Sequence, residues 1–291
     1  MLGDEGIATA VPDPAAAPGA EVLAVDETPA PEPPAPPAFT ARPGVELWLV
    51  LGLSLGQSAV YALLNIWNRL TVEVALNQQS SSLNNSVTPD RPWLDLAYQL
   101  ANIAFPLVPA LLALYLLGRS GRELIGLTHG RIRPLPDLGW AAALAAGIGL
   151  PGLAFLAGAR LLGLNTHVVP SNLAAAWWTV PVLLLAAAMN GILEEVVVIG
   201  FFYARCWALR WNTAVIVLAS ALIRGSYHLY QGFGSFAGNA IMGVVFGLFF
   251  VKTKRVAPLI LAHFLMDAAV FVGYPLLAPW ILATPWLAWL I

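Results

Sequence analysis

Seven apolar runs, each close in length to a membrane-spanning helix, follow one another along this sequence. A helix needs about 20 residues to cross the hydrocarbon core of a bilayer. Hydrophobic residues make up 59% of the 291 residues and charged residues only 10%, whereas about a quarter of the residues in a soluble domain are charged. We therefore predict an all-α, polytopic membrane helix bundle. The runs cover approximately residues 45–67, 93–117, 138–162, 174–207, 213–230, 236–251 and 256–274.

The two ends of the chain differ from this central region. Residues 1–43 combine many prolines with several acids and one basic residue, Arg42, so we predict a disordered cytoplasmic tail before a membrane domain at 44–291. The tail has no basic start followed by an apolar core, which argues against a secretory signal. Residues 275–291 are apolar but contain three prolines. They predict either an interfacial hairpin or a short eighth span, and we favour the span.

Basic residues predict the orientation of the chain. They concentrate in the loops after the second, fourth and sixth runs, and cytoplasmic loops are enriched in Lys and Arg. We therefore expect these loops and the amino terminus on the cytoplasmic side of the plasma (inner) membrane. Because topology accounts for the basic residues, we predict no nucleic-acid binding. The residues are Arg119, Arg122, Arg131, Arg133, Arg205, Arg210, Lys252, Lys254 and Arg255; His129, in the first of these loops, is interpreted as interfacial.

Apart from residues at the ends of the apolar runs, ionisable residues within the runs are few, and they fall on three of the runs. Such residues are costly in a bilayer and usually face a polar interior with a functional role. We therefore predict that they converge on one polar cavity. They are Glu194 and Glu195 on the fourth run, Arg224 and His228 on the fifth, and His263 and Asp267 on the seventh.

Helical spacing supports this convergence, because residues four apart lie on one helix face. Arg224 and His228 have this spacing, as do His263 and Asp267. Asn190 precedes Glu194 by one turn and is a predicted supporting residue, whereas Glu195 points about 100° away from that face. The two glutamates therefore need not share a role.

Several chemistries fit this set of side chains. A carboxylate in an apolar pocket suits a general base, and imidazole donors can stabilise an oxyanion, which together would make a water-activating hydrolase. Two histidines and a carboxylate could also bind zinc, although the helical His-Glu-x-x-His arrangement is absent. A buried ion-pair network that only holds helices together is one alternative, and a proton-coupled transporter is another.

Three short motifs carry a resemblance to a known family. The segments are EEVVVI at 194–199, RGSYH at 224–228 and HFLMD at 263–267. Their order and spacing resemble the CPBP family, the CAAX protease and bacteriocin-processing (Abi) group of intramembrane glutamic endopeptidases, related to type II CAAX prenyl endopeptidases. The resemblance runs over about 177–274 and defines a predicted core at 174–275.

The resemblance implies a fold of about eight helices around a polar cavity, and it implies roles for the site residues. Glu194 would activate water and His228 would hold that water. His263 with Asp267 would polarise the scissile carbonyl and receive the oxyanion, and Glu195 would be a supporting residue. No metal is certain, although zinc could bind the same residues. The expected partners are the lipid bilayer and a membrane-associated peptide or protein substrate, whose identity the sequence does not specify.

Two positions depart from the family pattern. Ile199 stands where the diglutamate motif has arginine, and Arg224 stands where the second motif has phenylalanine. We hypothesise that Arg224, a further supporting residue, reaches across to Glu195 and replaces the missing ion pair. The departures also leave open the main alternative, a non-catalytic scaffold or bacteriocin-immunity-type protein of the same fold, with the proton-coupled transporter third.

Overall fold

The computed structural model describes residues 42–128 and 130–284. His129 and most of the predicted amino-terminal tail lie outside these residues. Eight helices account for most of the described chain. They are α1 (Pro43–Gly52), α2 (Leu55–Leu70), α3 (Pro92–Leu124), α4 (Pro134–Leu161), α5 (Thr179–Ala208), α6 (Thr213–His228), α7 (Phe233–Thr253) and α8 (Ala257–Leu282). Two short strands, β1 (Ser80–Asn84) and β2 (His167–Ser171), pair in parallel.

The helices confirm the all-α membrane class but not the number of spans. Within the described ranges, α3, α4, α5, α7 and α8 are each long and apolar enough to cross a bilayer, and α1 with α2 would make a sixth span bent by 48°. The fifth predicted run forms α6, which has only 16 residues. The described part of the predicted eighth span continues α8 instead of forming a separate helix. A wider π-helical turn at Ala269–Gly273 lies two residues before Pro275. Proline cannot donate the backbone hydrogen bond of a regular helix, and the turn lies where that bond would be lost.

The predicted cytoplasmic loops lie together at one end of the bundle, which we call the basic end. Arg255 forms an ion pair with Asp137 at the start of α4, at 2.6 Å. Arg205 forms an ion pair with Glu46 of α1, also at 2.6 Å. The Lys254 ammonium lies 3.7 Å from the centre of the Trp207 ring. These contacts join the loops after α3, α5 and α7.

The opposite end of the bundle, which we call the sheet end, carries the two-stranded sheet. Strand β1 belongs to the connection between α2 and α3, and β2 belongs to the connection between α4 and α5. The backbone of Thr166, just before β2, donates to the Gln231 carbonyl in the turn between α6 and α7, at 2.9 Å. Three connections are thereby held together at this end.

Helix α5 is the most buried of the long helices and forms the centre of the core. The segment from Val196 to Phe201, just after the middle of this helix, has almost no exposed surface. Large apolar side chains of α3 and α4, including Leu111 and Leu150, are exposed instead, as expected for a surface in contact with lipid. The site residues of α5 are therefore surrounded by protein.

Candidate active site

The diglutamate lies at a change of helix type in α5. The segment Thr179–Glu194 is α-helical, and Glu195–Phe201 is π-helical. Both side chains are nearly inaccessible, with 7% of Glu194 and 0% of Glu195 exposed. The Ser220 hydroxyl of α6 donates to the Val198 carbonyl within the π segment, at 3.1 Å. Short π segments are frequent at functional sites. The extra residue in the turn changes the direction in which the neighbouring side chains leave the helix.

Arg224 supplies the cation that the two carboxylates require. Its side chain is fully buried, Nη2 lies 2.7 Å from Glu195 Oε1, and Nη1 lies 3.4 Å from Glu194 Oε2. The predicted contact between Arg224 and Glu195 is therefore present. Ile199, at the position of the family's arginine, is buried in the apolar core. The ion pair joins α5 to α6 where the family pattern implies a pair on one helix.

Glu194 lies among three further polar groups. The Tyr227 hydroxyl donates to Glu194 Oε2 at 2.6 Å. His228 Nε2 lies 3.9 Å from the same oxygen, and His263 Nδ1 lies 4.0 Å from it. Neither ring nitrogen of His228 has a hydrogen-bond partner among the described residues. The Glu194 carboxylate is thus anchored on one side and faces two imidazoles.

The remaining predicted residues form a second layer around His263. His263 Nδ1 lies 2.7 Å from Glu195 Oε1, so Glu195 contacts both Arg224 and His263. His263 Nε2 lies 3.8 Å from Asp267 Oδ1, and the Asn190 amide donates to Asp267 Oδ2 at 2.8 Å. Asn190 and Asp267 therefore connect α5 to α8 one turn away from the two glutamates.

A close approach of α5 and α8 brings His263 to the glutamates. Gly191 is the contact point, since a Cβ atom at this position would lie 2.8 Å from the Ile260 carbonyl oxygen and 3.6 Å from His263 Cβ. Small residues permit such approaches between membrane helices. The glycine one turn before Glu195 is therefore part of the geometry of the site.

A cavity of about 430 Å³, with a largely apolar lining and a cluster of polar side chains, opens beside these residues. Volumes of this size are typical of sites for small ligands or short peptide segments. Asn190, His228, His263 and Asp267 line its wall, and the carboxylate of Glu194 lies immediately behind the two histidines. All seven predicted site residues are thus placed at or next to one cavity.

Comparison with known proteins assigns this region to a family. The family model described as Type II CAAX prenyl endopeptidase Rce1-like matches residues 176–269. This segment is a CAAX protease-family domain. It contains all seven predicted site residues, and the match supports a CAAX-type intramembrane protease at family level. The apolar helices of the described residues fit a multi-pass membrane protein. No curated protein and no solved structure gives a significant match to the chain.

The CAAX protease-family domain also has residues that could ligate a metal ion. Ligand atoms of Glu194, Glu195 and His263 lie within 4.8 Å of one another. However, the guanidinium of Arg224 already lies between the carboxylates, and Glu195 Oε1 is close to both Arg224 and His263 Nδ1. A divalent cation would be repelled by the buried guanidinium and would compete with it for the carboxylates. The donor set as arranged therefore does not fit zinc.

Tyr227 is a site residue that is absent from the set predicted from the sequence. Its hydroxyl makes the shortest hydrogen bond to Glu194 among the described contacts. The signal was available in the spacing, since Arg224, Tyr227 and His228 stand at positions i, i+3 and i+4 of one helix and therefore share a face. The spacing therefore places Tyr227 on the face of α6 that carries the predicted site residues Arg224 and His228.

Proposed function

We propose that the chain is an intramembrane endopeptidase of the glutamic type, which hydrolyses a peptide bond in a membrane-associated protein or peptide. The observation that carries the proposal is the position of Glu194. Its carboxylate is oriented by Tyr227 and Arg224 and lies directly behind the two histidines that line the cavity, about 4 Å from each imidazole. A base held in fixed geometry beside a cavity that can admit a water molecule suits the hydrolysis of an amide.

Glu194 acts as the general base in this proposal. One water molecule can bridge a separation such as the 3.9 Å between Glu194 Oε2 and His228 Nε2, since it hydrogen-bonds each group at about 2.8 Å. Glu194 takes a proton from this water as the oxygen attacks the scissile carbonyl carbon. The tetrahedral intermediate then collapses, the C–N bond breaks, and the proton passes from Glu194 to the leaving amine nitrogen.

His263 stabilises the oxyanion of the intermediate. Nδ1 donates to Glu195, and Nε2 of the doubly protonated ring donates to the oxyanion in the cavity. An ionised Asp267 would repel an oxyanion placed against it. Asp267 therefore serves as a positioning residue for His263, held by the amide of Asn190.

Arg224 and Glu195 are positioning residues as well. Glu195 holds the ring of His263, and Arg224 holds Glu195 while it also contacts Glu194. The pair therefore sets the relative positions of the base on α5 and the oxyanion donor on α8. No step of the mechanism requires a metal ion.

The test is a search for glutamate-dependent cleavage. The purified full chain in liposomes is incubated with a library of membrane-anchored peptides, and the products are identified by mass spectrometry, with and without a chelator. Glu46→Gln is the matched control for Glu194→Gln, because Glu46 is also a paired carboxylate but lies at the basic end. Cleavage by the wild type and by Glu46→Gln, lost in Glu194→Gln and unaffected by chelator, supports the proposal. A folded wild type that cuts no peptide favours a non-catalytic scaffold.

A further inference from the structure

The cavity beside Glu194 is confined to one part of the bundle. Helix α4 runs from the basic end to the sheet end, and its lining residues are in its second half, from Ile148 to Arg160. Helix α7 runs in the opposite direction, and its lining residues, from Gly238 to Met242, are in its first half. The cavity therefore extends from the middle of the bundle towards the sheet end.

The rim of the cavity is formed by the connections at the sheet end. The lining includes Asn165 and Thr166 just before β2, His167 and Val168 within β2, and Gln231 in the turn between α6 and α7. These residues belong to connections and to a short strand outside the long helices, where backbone N–H and C=O groups are not all paired within a helix. Such segments are tolerated at a membrane surface and at a water-filled mouth, but not against lipid.

The path from the site to the basic end is filled by side chains. Val197, Val198, Ile199 and Phe201, directly after the diglutamate, have no exposed surface. Nearer the basic end, three aromatic rings pack against one another: Tyr203 edge-on to Trp207 and Phe250, and Trp207 stacked on Phe250. A close-packed apolar plug of this kind excludes a peptide and its hydration water.

A second feature of the same half of the bundle is a groove between α2 and α6. Gln57, Tyr61 and Asn65 of α2 are exposed at positions i, i+4 and i+8, and with Tyr227 and Tyr230 they line a groove of about 420 Å³. Asn65 accepts a hydrogen bond from Arg69 Nε at 2.7 Å, and the exposed Gln57 amide on a membrane helix requires water or a hydrogen-bonding partner. Tyr230 lines both this groove and the cavity, so polar surface reaches the neighbourhood of Glu194 from the sheet end and from the side.

We propose that the site receives its substrate from the sheet end, which is the non-cytoplasmic face of the membrane because the basic end carries the cytoplasmic type of loop. The substrate class is then a peptide segment that has been translocated across the membrane, such as the extracytoplasmic part of a membrane-anchored or exported polypeptide. A lipidated carboxyl terminus presented from the cytoplasm would meet the closed end of the bundle. This inference rests on the proposed function for its substrate, but not for the side of access.

The single cysteine of the chain allows a direct test by chemical accessibility. Cys206 is buried, and Cys206→Ser provides a background without other cysteines. Into it are placed Val168→Cys at the rim, Asn239→Cys on the cavity wall and, as the control, Arg131→Cys at the basic end. A small, charged, membrane-impermeant thiol reagent is applied to spheroplasts and to inverted membrane vesicles. Thermal unfolding in detergent confirms that each variant is folded.

The proposal predicts that Val168→Cys and Asn239→Cys react several-fold faster in spheroplasts than in inverted vesicles, and that Arg131→Cys shows the reverse. Reaction of Asn239→Cys mainly in inverted vesicles would place the opening on the cytoplasmic side and overturn the proposal. So would an Arg131→Cys variant that reacts from outside, or an Asn239→Cys variant that is folded and reacts from neither side. Because labelling requires no catalysis, these outcomes are independent of whether the chain is a protease.

Discussion

Arg224 on α6 contacts both carboxylates of the diglutamate on α5, at 2.7 Å to Glu195 and at 3.4 Å to Glu194. All three side chains are buried. Since the unpaired charge of any one of them would be costly in this environment, the three must be regarded as one unit. The family pattern implies a cation one turn after Glu195 on the same helix, and this chain carries Ile199 there. The protein therefore retains the charge balance of the site through a different helix contact.

The first prediction concerns this ion pair. Arg224→Gln removes the partner of Glu195 and should lower the free energy of unfolding by about 3–5 kcal/mol, the usual cost of breaking a buried pair. Glu195→Gln in addition should restore part of the loss, with a coupling free energy of about 0.5–3 kcal/mol. Thermal or denaturant unfolding in detergent measures the cycle. Arg205→Gln, at the partly exposed ion pair of the basic end, is the control and should cost less. Additive losses in the double variant would show that Arg224 and Glu195 do not interact.

The second prediction concerns Tyr227. Tyr227→Phe removes the hydroxyl that donates to Glu194 and leaves the ring in place. A hydrogen bond to a charged group is worth about 1.5–3 kcal/mol, so we expect cleavage to slow by roughly 10- to 100-fold while substrate binding changes little. Steady-state kinetics on a cleaved peptide measures kcat and KM separately. Tyr61→Phe, on the exposed groove, is a control. An unchanged kcat would exclude an orienting role for the hydroxyl.

The third prediction concerns the helix contact at Gly191. Gly191→Ala introduces a methyl group where a Cβ atom would lie 2.8 Å from the Ile260 carbonyl, so α5 and α8 must separate. Overpacking of this kind costs about 1–3 kcal/mol, and the shift should displace His263 from Glu195. We expect both stability and cleavage to fall. Gly152→Ala in α4, where a Cβ atom meets nothing within 4 Å, should leave stability unchanged. Full activity in folded Gly191→Ala would contradict the proposed role of the close approach.

The fourth prediction concerns pH at the sheet end. Burial lowers the pKa of His167 in β2, and the positive charge of Arg160 lowers it further. The folded protein therefore binds fewer protons at this position than the unfolded chain. The neutral His167 ring therefore favours the folded state. This contribution to the free energy of unfolding is fully present above the unfolded pKa of about 6.5, and it is lost as the pH falls below that value because the unfolded chain binds the proton more readily. His167→Gln should reduce the loss of thermal stability between about pH 7 and pH 5, in the window set by that unfolded pKa. An identical pH profile in the variant would contradict this assignment.

Much of the site could be predicted from the sequence because intramembrane charge is rare. Charged residues are so costly at membrane depth that Glu194, Glu195 and Arg224 stood out without any structure. Helical spacing placed His263 with Asp267 and Asn190 with Glu194 on shared faces. The pairing of Arg224 with Glu195 followed from the requirement that buried charges be balanced.

Other features could not be predicted, because they depend on packing between helices. The π-helical turn after Glu195 is a local change of hydrogen-bond register that no apolar pattern indicates. The continuation of α8 through Pro275 depends on a similar turn, and the proline pattern alone favoured a separate eighth span. The proposed side of access also depends on the arrangement of α4 and α7 around the cavity, which no local sequence pattern indicates.

In the proposed mechanism, Glu194 is the general base that activates water. The most direct measurement compares the single-turnover rate of cleavage by wild type, Glu194→Gln and Glu46→Gln on the same membrane-anchored peptide, with thermal stability measured in parallel. Loss of a general base lowers the rate by about 100- to 10,000-fold. We expect a loss of that size in folded Glu194→Gln and a wild-type rate in Glu46→Gln. Cleavage by folded Glu194→Gln at close to the wild-type rate would contradict it.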